Sequence, residues 1–169
     1  MTGAAIKYLI LDADGVLTDS RITYTDEGVE IKSFNVKDGH GIKLLMRAGI
    51  GVAVITGRYS KALEHRAHDL QIEHVVQGAK DKKAALLDFA EEIGLAPGEM
   101  AYMGDDVVDL PAMALCALSI APSDAVDMVK ERVDIVTKLP GGHGAVREAA
   151  EILLKRSGLF DAAMERYVG

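Results

Sequence analysis

Three short apolar runs, Tyr8-Leu9-Ile10-Leu11, Gly51-Val52-Ala53-Val54-Ile55 and Met100-Ala101-Tyr102-Met103, each stop abruptly at acids, a glycine or a Thr-Gly pair. A continuous apolar run of this length, closed by a turn signal, reads as a strand buried on both faces. Helical segments separate these runs. From Asp38-Gly39, apolar Ile42, Leu45 and Met46 keep helical spacing to Gly49; further helices are predicted from about Ser60 to Leu70 and from about Lys82 to Ile93, where Gly94 closes the pattern. Smaller elements fill the rest: strands near His74 to Val76 and Ala117 to Ile120, helices near Val108 to Ala114 and Asp124 to Glu131, and a last helix from about Gly144. Such alternation predicts an α/β fold, a Rossmann-like three-layer sandwich with a mostly parallel sheet.

One insertion breaks the alternation. Arg21 to Thr25 and Val29 to Val36 alternate in character around Asp26-Glu27-Gly28, which predicts a β-hairpin inserted over about 21–36. With 169 residues and no linker-like stretch, the chain is expected to form one domain over 1–169, with no room for a large cap. A formal charge of −7 argues against a nucleic-acid or anionic-membrane surface. Any phosphate site must therefore be built locally. The lone Cys116 has no partner for a disulfide and reads as a structural, buried thiol. No signal-like start and no membrane-length apolar segment is visible, so a soluble, cytoplasmic protein is expected.

In open parallel sheets, ligands bind in the crevice outside the carboxyl ends of the strands. The three apolar runs deliver distinctive groups there: Asp12 and Asp14 after the first, Thr56-Gly57-Arg58 after the second, Gly104-Asp105-Asp106 with Asp109 after the third. Gly15 permits a sharp departure, so Asp14 can swing to a different post from Asp12. Acids crowded at one sheet edge repel, and a divalent cation relieves them. An all-oxygen set suits Mg²⁺ better than Zn²⁺, and no Cys/His cluster competes. Each group also has a plainer reading: a helix cap for the first acids, turns for Thr56-Gly57 and Gly104-Asp105, a solvated lysine face for Lys82 beside Lys80 and Lys83.

The order and spacing of Asp12-x-Asp14, Thr56-Gly57, Lys82 and Gly104-Asp105-Asp106 resemble the haloacid dehalogenase-like phosphatases. The resemblance implies that Asp12 is a nucleophile that becomes an aspartyl phosphate, and that Asp14 is first the general acid and then the base. It implies that Thr56 holds a phosphoryl oxygen and Lys82 offsets charge on nucleophile and phosphate. Mg²⁺ would be held by Asp12, Asp105 and the backbone carbonyl of Asp14, with Asp106 and Asp109 supporting the site. The chemistry is coherent, since a carboxylate attacking a dianionic phosphate needs cations to neutralise both.

A closer resemblance spans nearly the whole sequence. Asp12 to Asp19, Phe34 to Gly41, Ile55 to Arg58, Tyr102 to Asp106 and Gly141 to Glu148 look like the phosphatases of 3-deoxy-D-manno-octulosonate 8-phosphate, of bacterial lipopolysaccharide synthesis. This implies a homotetramer assembled around the hairpins, with neighbouring subunits completing each site and the tail from about Gly158 to Gly169 near an adjacent one. It implies Gly57 and Arg58 as further substrate contacts, Arg58 meeting the sugar-acid carboxylate. Arg147 is another anion-contact candidate, with a salt-bridged helix residue as the alternative. His143 stands where well-known members carry Arg. A nine-carbon sialic-acid-like 9-phosphate or general small phosphates are the rival substrates, and a non-catalytic oligomeric binding module is the rival from another class. A receiver domain fits the Asp-x-Asp-Gly order and the hairpin poorly.

Overall fold

The computed structural model describes residues 5–168. The first four residues of the expected 1–169 domain, and Gly169 at the end of the expected tail, lie outside the described residues. Strands run in chain order as β1 (Tyr8–Leu11), β2 (Thr23–Tyr24), β3 (Glu30–Ile31), β4 (Gly51–Ile55), β5 (His74–Val76), β6 (Met100–Met103), β7 (Leu118–Ala121) and β8 (Ile135–Val136). The helices are α1 (Val36–Arg47), α2 (Lys61–Leu70), α3 (Lys82–Ile93), α4 (Leu110–Met113), α5 (Asp127–Lys130), α6 (Ala145–Arg156) and α7 (Phe160–Val168).

Six strands form one sheet in the order β5-β4-β1-β6-β7-β8, and every pairing in it is parallel. Alternation along each strand divides two cores. Leu9, Leu11, Val52, Val54, Ala101 and Met103 pack with α1, α2 and α6, while Ile10, Ala53, Ile55 and Tyr102 pack with α3, α4 and α5. The sheet is thus covered on both faces, as its unbroken apolar runs require. Among the described residues there is no cap domain; β2 and β3 form a separate antiparallel pair.

The differences from expectation are local. α1 starts at Val36 rather than Asp38, because the Asn35 side chain caps it by accepting from Lys37 N at 2.8 Å and Asp38 N at 3.3 Å. That cap takes residues from the expected second hairpin strand, which shrinks to Glu30–Ile31. The last helix is two helices, parted where Gly158 takes φ +68. α7 folds back on its own chain, its Tyr167 hydroxyl held by Arg47 Nη1 at 2.8 Å and His40 Nε2 at 3.0 Å. Strand β8 is only a two-residue edge, too short to show a pattern. Cys116 is half-buried, and burial pushes its thiol pKa up to about 12.

Candidate active site

The register aligns the site. Leu11 pairs with Val54 on one side and Met103 on the other, so β1, β4 and β6 end side by side. Their ends open into a cavity of about 310 Å³ lined by Asp12, Asp14, Thr56, Arg58, Lys82 and Asp105, with Ser20, Gly57, Asp106 and Val108 completing the wall. Ile10 faces the α3 side of the sheet, and one alternation later Asp12 meets the start of α3. Lys82, the first residue of that helix, is 5% exposed. Its Nζ lies 2.9 Å from Asp12 Oδ2 and 2.6 Å from Asp109 Oδ1. A cation in a helix's first turn opposes the helix dipole, so Lys82 is placed there for the carboxylates and not for the helix. The solvated-lysine reading holds for Lys80 and Lys83, which are exposed, but not for Lys82.

Asp109 is fully enclosed and its oxygens are spoken for. Oδ1 accepts from Lys82 Nζ and, at 3.2 Å, from the Tyr102 hydroxyl; Oδ2 accepts from the backbone N–H groups of Asp105 and Asp106 at 3.2 and 3.3 Å. A carboxylate has about four lone-pair sites, so Asp109 is left as a brace that fixes Lys82 and the Asp105 loop. Asp105 differs. Among the described residues no hydrogen-bond donor reaches its carboxylate, and Asp12 receives only Lys82 and its neighbour Ala13 N at 2.8 Å.

One oxygen from each of Asp12, Asp105 and Asp109 lies within 4.8 Å of the others. Three acids share one lysine, and the excess negative charge shows in the titration of Asp12 and Asp105. Burial, then the Asp109 charge, pushes the Asp12 pKa up to about 6 against the pull of Lys82. Burial, then Asp12 and Asp109, pushes Asp105 up to about 7. Burial works against the Lys82 ammonium, but Asp12 and Asp109 overrule it and keep its pKa above the ordinary value. A hard divalent cation fits here: Asp12 and Asp105 retain free oxygen lone pairs, and the donor set holds no nitrogen or sulfur.

Asp14 faces other partners. Its carboxylate is salt-bridged to Lys32 Nζ and lies 3.5 Å from Arg58 Nη1. Gly15 makes this divergence possible: it takes φ +89, and a Cβ there would sit 2.0 Å from Asp105 Oδ2. Thr56 is buried at the mouth of β4, its backbone tied to Val76 O at 2.9 Å and Ala79 N at 3.0 Å. Arg58 is already engaged, with Nη2 at 2.5 Å from Glu30 Oε2 and 3.2 Å from the Tyr24 hydroxyl.

The structure therefore gathers Asp12, Asp14, Thr56, Gly57, Arg58, Lys82, Asp105 and Asp106 around one cavity, with Asp109 behind it. Asp106 also caps the next turn, accepting from Val107 N at 2.7 Å. Arg147 is not brought there. It lines a different cleft, with Nε 2.7 Å from Glu151 Oε1 and Nη1 3.1 Å from His40 Nδ1, the salt-bridged helix alternative. His143 lines that same cleft. Sequence reading missed Tyr24, Glu30 and Lys32. Their signal was faint: Glu30 and Lys32 are polar residues flanking apolar Ile31, a pattern shared by any hairpin with one wet face.

Comparison with known proteins agrees with this geometry. Residues 33–116 match the family model of haloacid dehalogenase-like hydrolases. The 3-deoxy-D-manno-octulosonate 8-phosphate phosphatase KdsC of Escherichia coli K12 is 45% identical over 158 residues, 94% of this chain and 84% of that protein. The phosphatase of this name from Moraxella catarrhalis, solved with magnesium, phosphate and KDO, superposes with a TM-score of 0.94 at 38% identity, covering 98% of this chain and 95% of that one. The cobalt-bound deoxy-D-mannose-octulosonate 8-phosphate phosphatase of Haemophilus influenzae gives 0.90 at 45% identity, covering 94% and 92%. With its motifs gathered at one sheet edge and this similarity along nearly its full length, the chain belongs to the haloacid dehalogenase-like hydrolases, in the family of the 3-deoxy-D-manno-octulosonate 8-phosphate phosphatases.

Proposed function

We propose that the chain, acting as one domain over 1–169, is a Mg²⁺-dependent phosphatase that hydrolyses 3-deoxy-D-manno-octulosonate 8-phosphate to the sugar acid and phosphate. The observation that carries this reading is the division of one cavity between two carboxylates, Asp12 held by Lys82 and Asp14 held by Lys32 and Arg58. That division suits one acid to attack and the other to move protons. Asp12 attacks phosphorus, forming the aspartyl phosphate while the bond to the sugar oxygen breaks. Asp14 gives its proton to that oxygen, then takes one from the water that releases phosphate and restores Asp12. Thr56 and Gly57 hold the phosphoryl oxygens, and Lys82 offsets the charge that gathers between nucleophile and phosphate. Asp12, Asp105 and the Asp14 carbonyl would hold Mg²⁺, whose charge lets two anions meet. Asp106 and Asp109 orient this set. Arg58 would receive the substrate carboxylate by exchanging it for Glu30.

Phosphate release from the eight-carbon ester, measured with and without Mg²⁺ beside a nine-carbon sugar-acid 9-phosphate and an aryl phosphate, tests the reading. A Mg²⁺-dependent preference for the eight-carbon acid is expected. Equal turnover of all three would leave a general phosphatase, and no turnover would favour a binding module.

The titration of Asp12 and Asp105 sets a pH dependence. Their pKa values, near 6 and 7, exceed those of unfolded carboxyl groups, so the metal-free fold binds more protons than the unfolded chain between the ordinary carboxylate range and about pH 7. Metal-free stability therefore falls as pH rises through that window, and a cation restores it. Calorimetry should show a larger Mg²⁺-induced rise in Tm at about pH 8 than at about pH 5. An equal rise at both would contradict the site. Gly15→Ala, which drives a methyl group into Asp105, should weaken Mg²⁺ binding roughly 10-fold or more in titration calorimetry.

We also propose a cytoplasmic homotetramer. Ile22, Val29, Ile31 and Val36 along the hairpin are each about half exposed or more, an apolar surface a second copy would cover. Light scattering should give four times the chain mass; an active monomer would contradict it. No helix among the described residues is long and apolar enough to cross a membrane.

A further inference from the structure

The hairpin turns a second row of side chains toward the site. Tyr24 pairs with Glu30 across β2 and β3, and alternation puts Lys32 on the Glu30 side with Ile31 facing away. Lys32 is salt-bridged to Asp14 and lies 3.5 Å from Glu30 Oε1; its side chain is only 2% exposed. Arg58 closes the ring, 2.5 Å from Glu30 and 3.5 Å from Asp14. Two acids and two bases thus balance across three separate segments. An exposed lysine pair of this kind contributes little. A buried one costs desolvation and side-chain entropy, so it is kept only where the geometry it imposes is used.

What it imposes is the aim of Asp14. Among the described residues, hydrogen bonds to that carboxylate come only from Lys32, on Oδ1, and from Arg58, at 3.5 Å on Oδ2. No backbone N–H group among them steadies it, in contrast to Asp12 with Ala13 N and Asp109 with two. Anchoring Oδ1 leaves Oδ2, with one long contact, as the oxygen able to carry the transferable proton. We propose that Lys32 is a positioning residue for Asp14, the hairpin thereby aiming the general acid at the leaving-group oxygen. Glu30, bridging Lys32 and Arg58 in the substrate-free site, holds the two cations in register until the substrate carboxylate takes Arg58, and its contact with Lys32 remains. Lys32 itself neither gives nor takes a proton: the proton leaves Asp14 as the phosphorus–oxygen bond to the sugar breaks, and returns from the attacking water.

This role rests on the phosphatase reading and predicts a dependence on leaving group. An alkoxide needs its proton as it departs, whereas a nitrophenolate leaves without one. With Mg²⁺ present, Lys32→Met is expected to slow release of the sugar acid in the first turnover of 3-deoxy-D-manno-octulosonate 8-phosphate by about 100-fold in rapid quench, while leaving the burst of nitrophenolate from p-nitrophenyl phosphate within about threefold; hydrolysis of the aspartyl phosphate, which uses Asp14 on water whatever the leaving group, slows for both. The aryl ester also reports that the variant is folded and that Asp12 still works. Lys32→Arg should recover at least part of the alkyl-ester activity. Equal losses in first-turnover leaving-group release on the two esters, or no loss on either, would overturn the role of Lys32 while leaving the phosphatase intact. A wild-type protein inert toward both esters would overturn the phosphatase reading and this role with it.

Discussion

Asp12→Asn should lower kcat by ~10⁴-fold or more while leaving the metal-free protein at neutral pH at least as stable as the wild type. The two halves of this expectation have one cause. Asp12 is 6% exposed and shares Lys82 with Asp109, so near neutral pH its ionised form is held against both burial and a like charge. An amide removes that charge. It still offers an oxygen to Lys82 Nζ, and Lys82 is then matched one to one by Asp109. What is lost is the nucleophile, which nothing else in the cavity replaces: Asp14 is turned toward Lys32 and Arg58, and Asp109 is walled in by four donors. Steady-state assays with Mg²⁺ and thermal melting without it check both halves. Activity near that of the wild type would remove Asp12 from the chemistry, and a marked fall in Tm would show that its charge supports the fold.

Lys82→Met reverses the pattern. The side chains of Asp12 and Asp109 are 8% and 0% exposed, and without the ammonium they face each other unbalanced. Removing one partner of a buried pair costs roughly 3–5 kcal/mol, and here one cation serves two acids. Turnover should fall by about 10³-fold as well, since the charge on the phosphoryl group loses a fixed, buried cation. Adding Asp12→Asn to Lys82→Met separates the two effects. The double variant removes one of the stranded charges, so it should melt above Lys82→Met while remaining inactive. Denaturant unfolding and phosphate release on all three variants complete the cycle. If Lys82→Met kept wild-type stability, the ion cluster would not be the strained centre that its distances describe.

Much of this site was legible because its parts lie at the ends of strongly apolar strands. Tyr8 to Leu11, Gly51 to Ile55 and Met100 to Met103 are so uniformly apolar that only two-faced burial suits them, and the residues just beyond such strands in a parallel sheet share one edge. Asp12 and Lys82 were readable in type and spacing, but their contact at 2.9 Å depends on alternation carrying Asp12 to the α3 side. Asp109 was readable only as a supporting acid, and its four donors come from elements that meet only in the folded chain. Lys32 and Glu30 were invisible as site residues, because their meaning depends on where a two-strand hairpin folds down and not on the hairpin's own pattern. Arg147 shows where sequence leaves two readings open: a basic residue in a glycine-rich, family-like stretch suits an anion contact or a salt bridge along its helix, and only the folded chain shows its pairing with Glu151 four residues on. The last helix divided at Gly158 because helical spacing alone does not reveal a single residue at positive φ.

The most direct measurement is rapid acid quench of a single turnover of 3-deoxy-D-manno-octulosonate 8-phosphate with Mg²⁺, then peptic digestion in cold acid, where the acyl phosphate survives, and fragmentation mass spectrometry of the peptide that carries Asp12 and Asp14. The expected result is a mass gain of one phosphoryl group on Asp12 that rises and decays within the turnover and is absent in Asp12→Asn. Complete phosphate release with no phosphorylated peptide at any time point, or with the group on Asp14, would contradict the assignment of the nucleophile.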